Sequence, residues 1–184
     1  MQLNTFILLT ILAIGLPSCS SNSQSIELSC VEDLDKIVLN PFKDLNKTQF
    51  LLNRNLLDMT DSVFLGDDQV EWNGKCFYLG DDLIFIVENN WTQKDSISTI
   101  QILSPLLRTK KMIGVNSTFG DIIDHIDFDT WKNFPDGYLM FKDKSNSKLV
   151  YEFESSDSID LGNMPLDIIT FPKKLRITAI LFVK

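Results

Sequence analysis

Gln69-Val70-Glu71-Trp72-Asn73-Gly74-Lys75-Cys76-Phe77-Tyr78-Leu79-Gly80-Asp81-Asp82-Leu83-Ile84-Phe85-Ile86-Val87 is the stretch on which the fold class turns. Gln69 to Trp72 and Lys75 to Leu79 read as two strands joined at Asn73-Gly74, because Asn-Gly readily takes the positive φ angles of a tight hairpin. Leu83 to Val87 is a nearly unbroken apolar run rich in β-branched residues, the pattern of a central strand covered on both faces. Leu-Gly-Asp-Asp stands at 65–68 and again at 79–82, each time between apolar segments. Glycine takes positive φ without a Cβ penalty and aspartate bonds to nearby backbone, so both copies read as turns.

The same signals continue outward. Ser98 to Leu103 alternates around Ile100 and Ile102; Tyr138 to Phe141, Lys148 to Phe153 and Leu175 to Val183 read as further strands, with Asp136-Gly137 and Ser145-Asn146-Ser147 as turns. Two helices are expected. Thr118 followed by Asp121 forms a capping box with a carboxylate at N3, and Phe119, Ile122, Ile123 and Ile126 follow at helical spacing. An earlier helix is expected over about Lys47 to Leu57, with Asn46 as N-cap and Phe50, Leu51, Leu56 and Leu57 as its apolar residues. The fold class is therefore α+β, a mainly antiparallel sheet with two helices packed on it. Leu45-Asn46-Lys47-Thr48 and Val115-Asn116-Ser117-Thr118 each precede a helix and then strands, a weak internal duplication. Segment 156–174, with Gly162, Pro165 and Pro172, is the longest loop.

At the other end of the chain an apolar run from Phe6 to Leu16 leads into Leu16-Pro17-Ser18-Cys19 and a Ser/Asn/Gln stretch. The run is too short for a membrane-spanning helix, which needs about 20 residues, and suits an export signal. Leu16-Pro17-Ser18-Cys19 resembles the lipobox of bacterial lipoproteins. That resemblance implies cleavage before Cys19 and attachment of diacylglyceryl and palmitate chains to it. Residues 1–18 are then the signal peptide, 19–28 a tether and 29–184 one domain. With more than one acyl chain the anchor is stable. Serine rather than aspartate at position 20 resembles lipoproteins that are not retained at an inner membrane, which implies the periplasmic face of an outer membrane. The opening Gly114-Val115-Asn116-Ser117-Thr118-Phe119-Gly120-Asp121-Ile122 is likewise similar to one seen in several small α+β envelope lipoproteins.

An exported chain changes the cysteine arithmetic. Of the three cysteines, Cys30 and Cys76 are left after lipidation of Cys19, and a Cys30–Cys76 disulfide would stabilise the domain by about 4 kcal/mol on the chain-entropy account. A free, buried Cys76 within a strand is the other reading. Two isolated cysteines so far apart do not make a zinc site.

Charge and motifs narrow the function classes. The chain has 184 residues, 44% of them hydrophobic and 23% charged, with a net charge of −8, which suits a globular domain and disfavours nucleic acid or anionic lipid surfaces as partners. His125 is the only histidine, and Asp121, Asp124, Asp127 and Asp129 lie near it. Acidic side chains on the exposed face of a helix explain that cluster better than a metal or catalytic site, and no catalytic residue, metal or cofactor is expected. The chain carries no Gly-rich phosphate loop, Gly-x-Ser-x-Gly elbow or Cys-x-x-Cys motif. Among the tryptophans at 72, 91 and 131, Trp91 lies in a polar run, Asn90-Trp91-Thr92, and is expected exposed as an interface residue. The expectation is a lipid-anchored periplasmic module that binds another envelope protein or serves a structural role, not an enzyme. The alternative is an immunity or inhibitor protein against an envelope-acting toxin or hydrolase, its acidity steering it to a basic partner.

Overall fold

In the computed structural model the described residues are 31, 34, 41–43, 57–66, 70–133, 138–154 and 171–184. They build one eight-stranded, wholly antiparallel sheet. The first four strands, β1 (Asp58–Leu65), β2 (Glu71–Leu79), β3 (Asp82–Asn89) and β4 (Ile97–Ile102), form a meander. After one short helix, α1 (Phe119–Ile122), β5 (Ile126–Asn133), β6 (Tyr138–Asp143), β7 (Leu149–Glu154) and β8 (Ile177–Val183) form a second meander. The two join where β4 pairs with β8, giving the order β1-β2-β3-β4-β8-β7-β6-β5.

Register explains why the apolar residues fall where they do. Phe77, Phe85, Ile102, Ile180, Tyr151 and Phe141 are successive cross-strand partners from β2 to β6, so one row of large side chains crosses six strands on a single face. All six are exposed by 4% or less. Burial of each such side chain contributes about 1.5–3 kcal/mol, so this row is a main source of cohesion between the meanders. Phe119 of α1 sits over it, with ring centroids 4.1 Å from Phe171, 5.7 Å from Phe141 and 5.8 Å from Phe153. Leu107, Ile113 and Val115 of the connection between β4 and α1 close the same core. One register position away, Cys76, Ile86, Gln101, Leu181, Val150 and Lys142 form the matching row on the opposite face.

The fold is mostly β, which corrects the α+β class with two packed helices. The helix expected over about Lys47 to Leu57 lies outside the described residues, apart from Leu57, which precedes β1. The second helix is real but short. Its capping box forms as expected, with Thr118 N and Oγ1 both donating to Asp121 Oδ2 at 2.8 Å. It ends at Ile122, and Ile126 opens β5 instead of continuing it. Phe119, Ile122 and Ile126 are all fully buried, so the helical spacing marked core positions correctly. From Ile126 onward the alternation of Ile, Phe and Thr with aspartates suits a strand, and aspartates oppose the negative end of a helix dipole.

The hairpin expected at Asn73-Gly74 is also corrected, because β2 runs straight through both residues. Gly74 lies beneath Phe64 of β1, where a Cβ would overlap the Phe64 ring, so the glycine serves close approach rather than a turn. The reversal comes one segment later at Gly80-Asp81, where Gly80 has φ +62° and Leu79 pairs with Asp82. This is the second Leu-Gly-Asp-Asp copy acting as the turn it was read to be. The first copy follows the end of β1; its Asp67 and Asp68 lie outside the described residues.

Candidate functional site

At the outer end of the first meander, the end of β3 and the loop that follows build a corner with little in common with the core. Glu88 and Asn89 close β3, and Asn89 is 3% exposed. Both polar atoms of the Asn89 side chain are bonded: its Oδ1 accepts from Asn73 N at 3.0 Å and its Nδ2 donates to Lys94 O at 3.1 Å. Asn90 Oδ1 then accepts from Thr92 N, Thr92 Oγ1 and Gln93 N at 2.9, 2.6 and 3.1 Å, the geometry of an Asx turn. Asn90 N donates to Ser96 O and Ser96 N to Gln93 O, each at 2.8 Å, which closes the loop on β4.

This bonded loop presents Trp91, whose side is 65% exposed. A cavity of about 390 Å³ lies beside it, lined by Val70, Trp72, Glu88, Asn89, Trp91 and Ser98. Trp72 is stacked on Phe64 at 6.0 Å and donates its Nε1 hydrogen to Glu88 Oε1 at 3.2 Å. Burial pushes the Glu88 carboxyl above the usual carboxylate range, and the Trp72 hydrogen bond only partly opposes it. The corner thus combines two indoles, a half-buried carboxylate and a loop fixed by hydrogen bonds.

A second carboxylate lies in the other meander. Asp143, at the end of β6, is 3% exposed. Lys111 Nζ donates to both its oxygens, at 3.0 and 2.9 Å. Ser145 N, Ser145 Oγ and Asn146 N donate to Oδ1 at 2.8, 2.7 and 3.0 Å, and Tyr151 Oη donates to Oδ2 at 2.8 Å. Burial alone would raise this carboxyl, but the Lys111, Ser145 and Tyr151 hydrogen bonds overcome it and bring its pKa down to about 2. Every contact ties the loop before α1 and the β6–β7 turn to the sheet, which makes Asp143 a structural group.

The residues singled out in the sequence are dispersed. Cys19 and Cys30 lie outside the described residues. Cys76 is buried in β2, and burial pushes its thiol up. Asp121 is held in the capping box, and Asp127 Oδ1 accepts from Asp129 N at 3.2 Å. Among the described residues no group of three His, Cys, Asp or Glu side chains converges as a metal site would require, and no helix is long and apolar enough to cross a membrane. The sequence reading reached Trp91 but missed Glu88 and Trp72 as its neighbours. The available signal was Asn90, an Asx-turn residue just past the end of an apolar strand; Asp143-Lys144-Ser145 carried the same signal for the structural acid.

No protein-family model matches the chain, and no curated protein matches it in sequence. Among solved structures it is similar to the crystal structure of YfeY, an uncharacterised protein from Escherichia coli, with a TM-score of 0.57 and 14% identity over 74% of this chain and 88% of that one. At this identity the likeness is one of fold.

Proposed function

We propose that this chain is a lipid-anchored protein of the bacterial cell envelope that binds another envelope protein through the Trp72–Trp91 corner. The observation that carries the reading is the exposed Trp91, held on a hydrogen-bonded loop beside a cavity with a second tryptophan. A large aromatic presented on a fixed loop loses little conformational entropy on binding, which is why such residues dominate interface energetics. The anchor is the lipid on Cys19, inferred from the likeness of Leu16-Pro17-Ser18-Cys19 to a lipobox. An anchored domain needs no lipid-binding surface of its own, which leaves the corner for a protein. The net charge of −8 favours a basic partner, as an inhibitor or immunity protein would have.

Two experiments test the two halves of this proposal. Cys19→Ala should abolish acyl labelling and release the protein from the membrane fraction; unchanged labelling would refute the anchor. A photo-crosslinking amino acid at position 91 of the full chain in cells should give one discrete adduct with an envelope protein. The same probe at Met112, which is 68% exposed in the other half, should give none. Equal crosslinking at both positions, or none at 91, would refute the contact surface.

A further inference from the structure

The Trp72–Glu88–Trp91 cavity has a feature that the binding proposal does not require. Glu88 accepts one hydrogen bond, from an indole N–H that carries no formal charge. The two ion pairs formed among the described residues, Lys75 with Asp61 and Lys111 with Asp143, both lie elsewhere. The loop's own cation, Lys94, is exposed and engages Asn89 through its backbone carbonyl, not Glu88 through its ammonium. A carboxylate drawn partly out of water without a counter-charge is unfavourable as it stands, and a cation brought into contact with it would relieve that cost. Tryptophan is also the side chain whose face attracts cations best, and two of them line the same cavity.

We infer that this cavity receives the cationic side chain of a partner protein, a lysine ammonium or an arginine guanidinium, set against Glu88 and flanked by Trp72 and Trp91. The inference rests on the protein-binding reading and names the chemistry of its contact. Guest recognition divides between two kinds of group. Glu88 supplies the charge and an acceptor oxygen, while the indoles supply apolar walls and the cation–π attraction. Trp72 has a second role, since its hydrogen bond holds one Glu88 oxygen in place. The 390 Å³ volume has room for a side chain but not for a folded element.

The test is a titration of the 15N-labelled full chain, held in detergent micelles, followed through its tryptophan indole N–H signals. N-acetyl-arginine amide should move the Trp72 and Trp91 signals saturably, in the millimolar range expected of a single side chain. The uncharged N-acetyl-glutamine amide should leave them in place. Glu88→Gln keeps an acceptor for Trp72 and should weaken arginine binding by about tenfold or more. Trp91→Leu removes a cavity wall at an exposed position and should weaken binding with unchanged melting. Equal shifts from both amides, or arginine affinity indifferent to Glu88→Gln, would overturn the assignment. If putrescine bound more tightly than the arginine amide, the site would belong to a free amine and the side-chain assignment would fall. A crosslink at position 91 with no arginine response would sink the cation while sparing the interface; arginine binding with no crosslink would do the reverse.

Discussion

Glu88 and Asp143 are both acids near the end of a strand, one in each meander, and the protein treats them in opposite ways. Asp143 is enclosed by Lys111, Ser145, Asn146 and Tyr151, and its carboxyl is held at about 2. Glu88 has Trp72 alone and is pushed above the usual carboxylate range by burial. Fully satisfied buried polar groups specify and rigidify a fold, whereas an under-satisfied one stores a cost that only a ligand or a proton can remove. On the proposed reading, the difference separates a joint of the scaffold from a surface left ready for a partner.

The largest expected effect comes from breaking the satisfied acid. Asp143→Ala removes the carboxylate that accepts from the Tyr151 hydroxyl and leaves Lys111 without its ion-pair partner, and should cost about 3 kcal/mol or more in urea unfolding. Loss of less than about 1 kcal/mol would mean that the network is incidental. Gly74→Ala comes next. The new Cβ meets the Phe64 ring, and Phe64 stacks on Trp72, so the change should cost about 1–3 kcal/mol and shift the Trp72 indole signal, linking sheet edge to cavity wall. If Phe64 simply swings outward, stability will fall little and that signal will stay put.

Much of this architecture was legible in the chain, and the misreadings share a cause. The apolar runs of β3, β4, β6, β7 and β8 were visible because a residue that must be buried in a sheet is also chosen for β-branching or aromaticity. Asn73-Gly74 misled because its glycine answers to Phe64, a cross-strand partner that local sequence does not reveal. Ile126 misled for a related reason: helix and strand both need an apolar residue there, and pairing of Ile126 with Asp143 decides between them. Trp91 could be reached from its polar neighbours. Glu88 could not, because one glutamate among 25 acidic residues is distinguished only by what stands beside it in space.

The two acids should also part in their response to pH, and here the effects are smaller. The Asp143 carboxyl is depressed in the folded state, so its stabilisation is present above the unfolded value of about 3.9 and is lost as pH falls towards about 2. Asp143→Asn should flatten that acid limb of the stability curve. Glu88 has the opposite sign. Its folded value is raised, so its contribution is fully present below the unfolded value of about 4.3 and is lost as pH climbs through the folded value. Glu88→Gln should therefore stabilise the domain at neutral pH, by less than Asp143→Ala destabilises it, and remove the decline that sets in above about pH 4.3. A Glu88→Gln protein less stable than the parent at neutral pH would mean that an unseen cation already neutralises the carboxylate. Trp91→Ala should move stability least, within about 0.5 kcal/mol by thermal melting, as expected for an exposed loop residue. A larger loss would make Trp91 a strut of the loop and return the corner to the scaffold, erasing the contrast with Asp143.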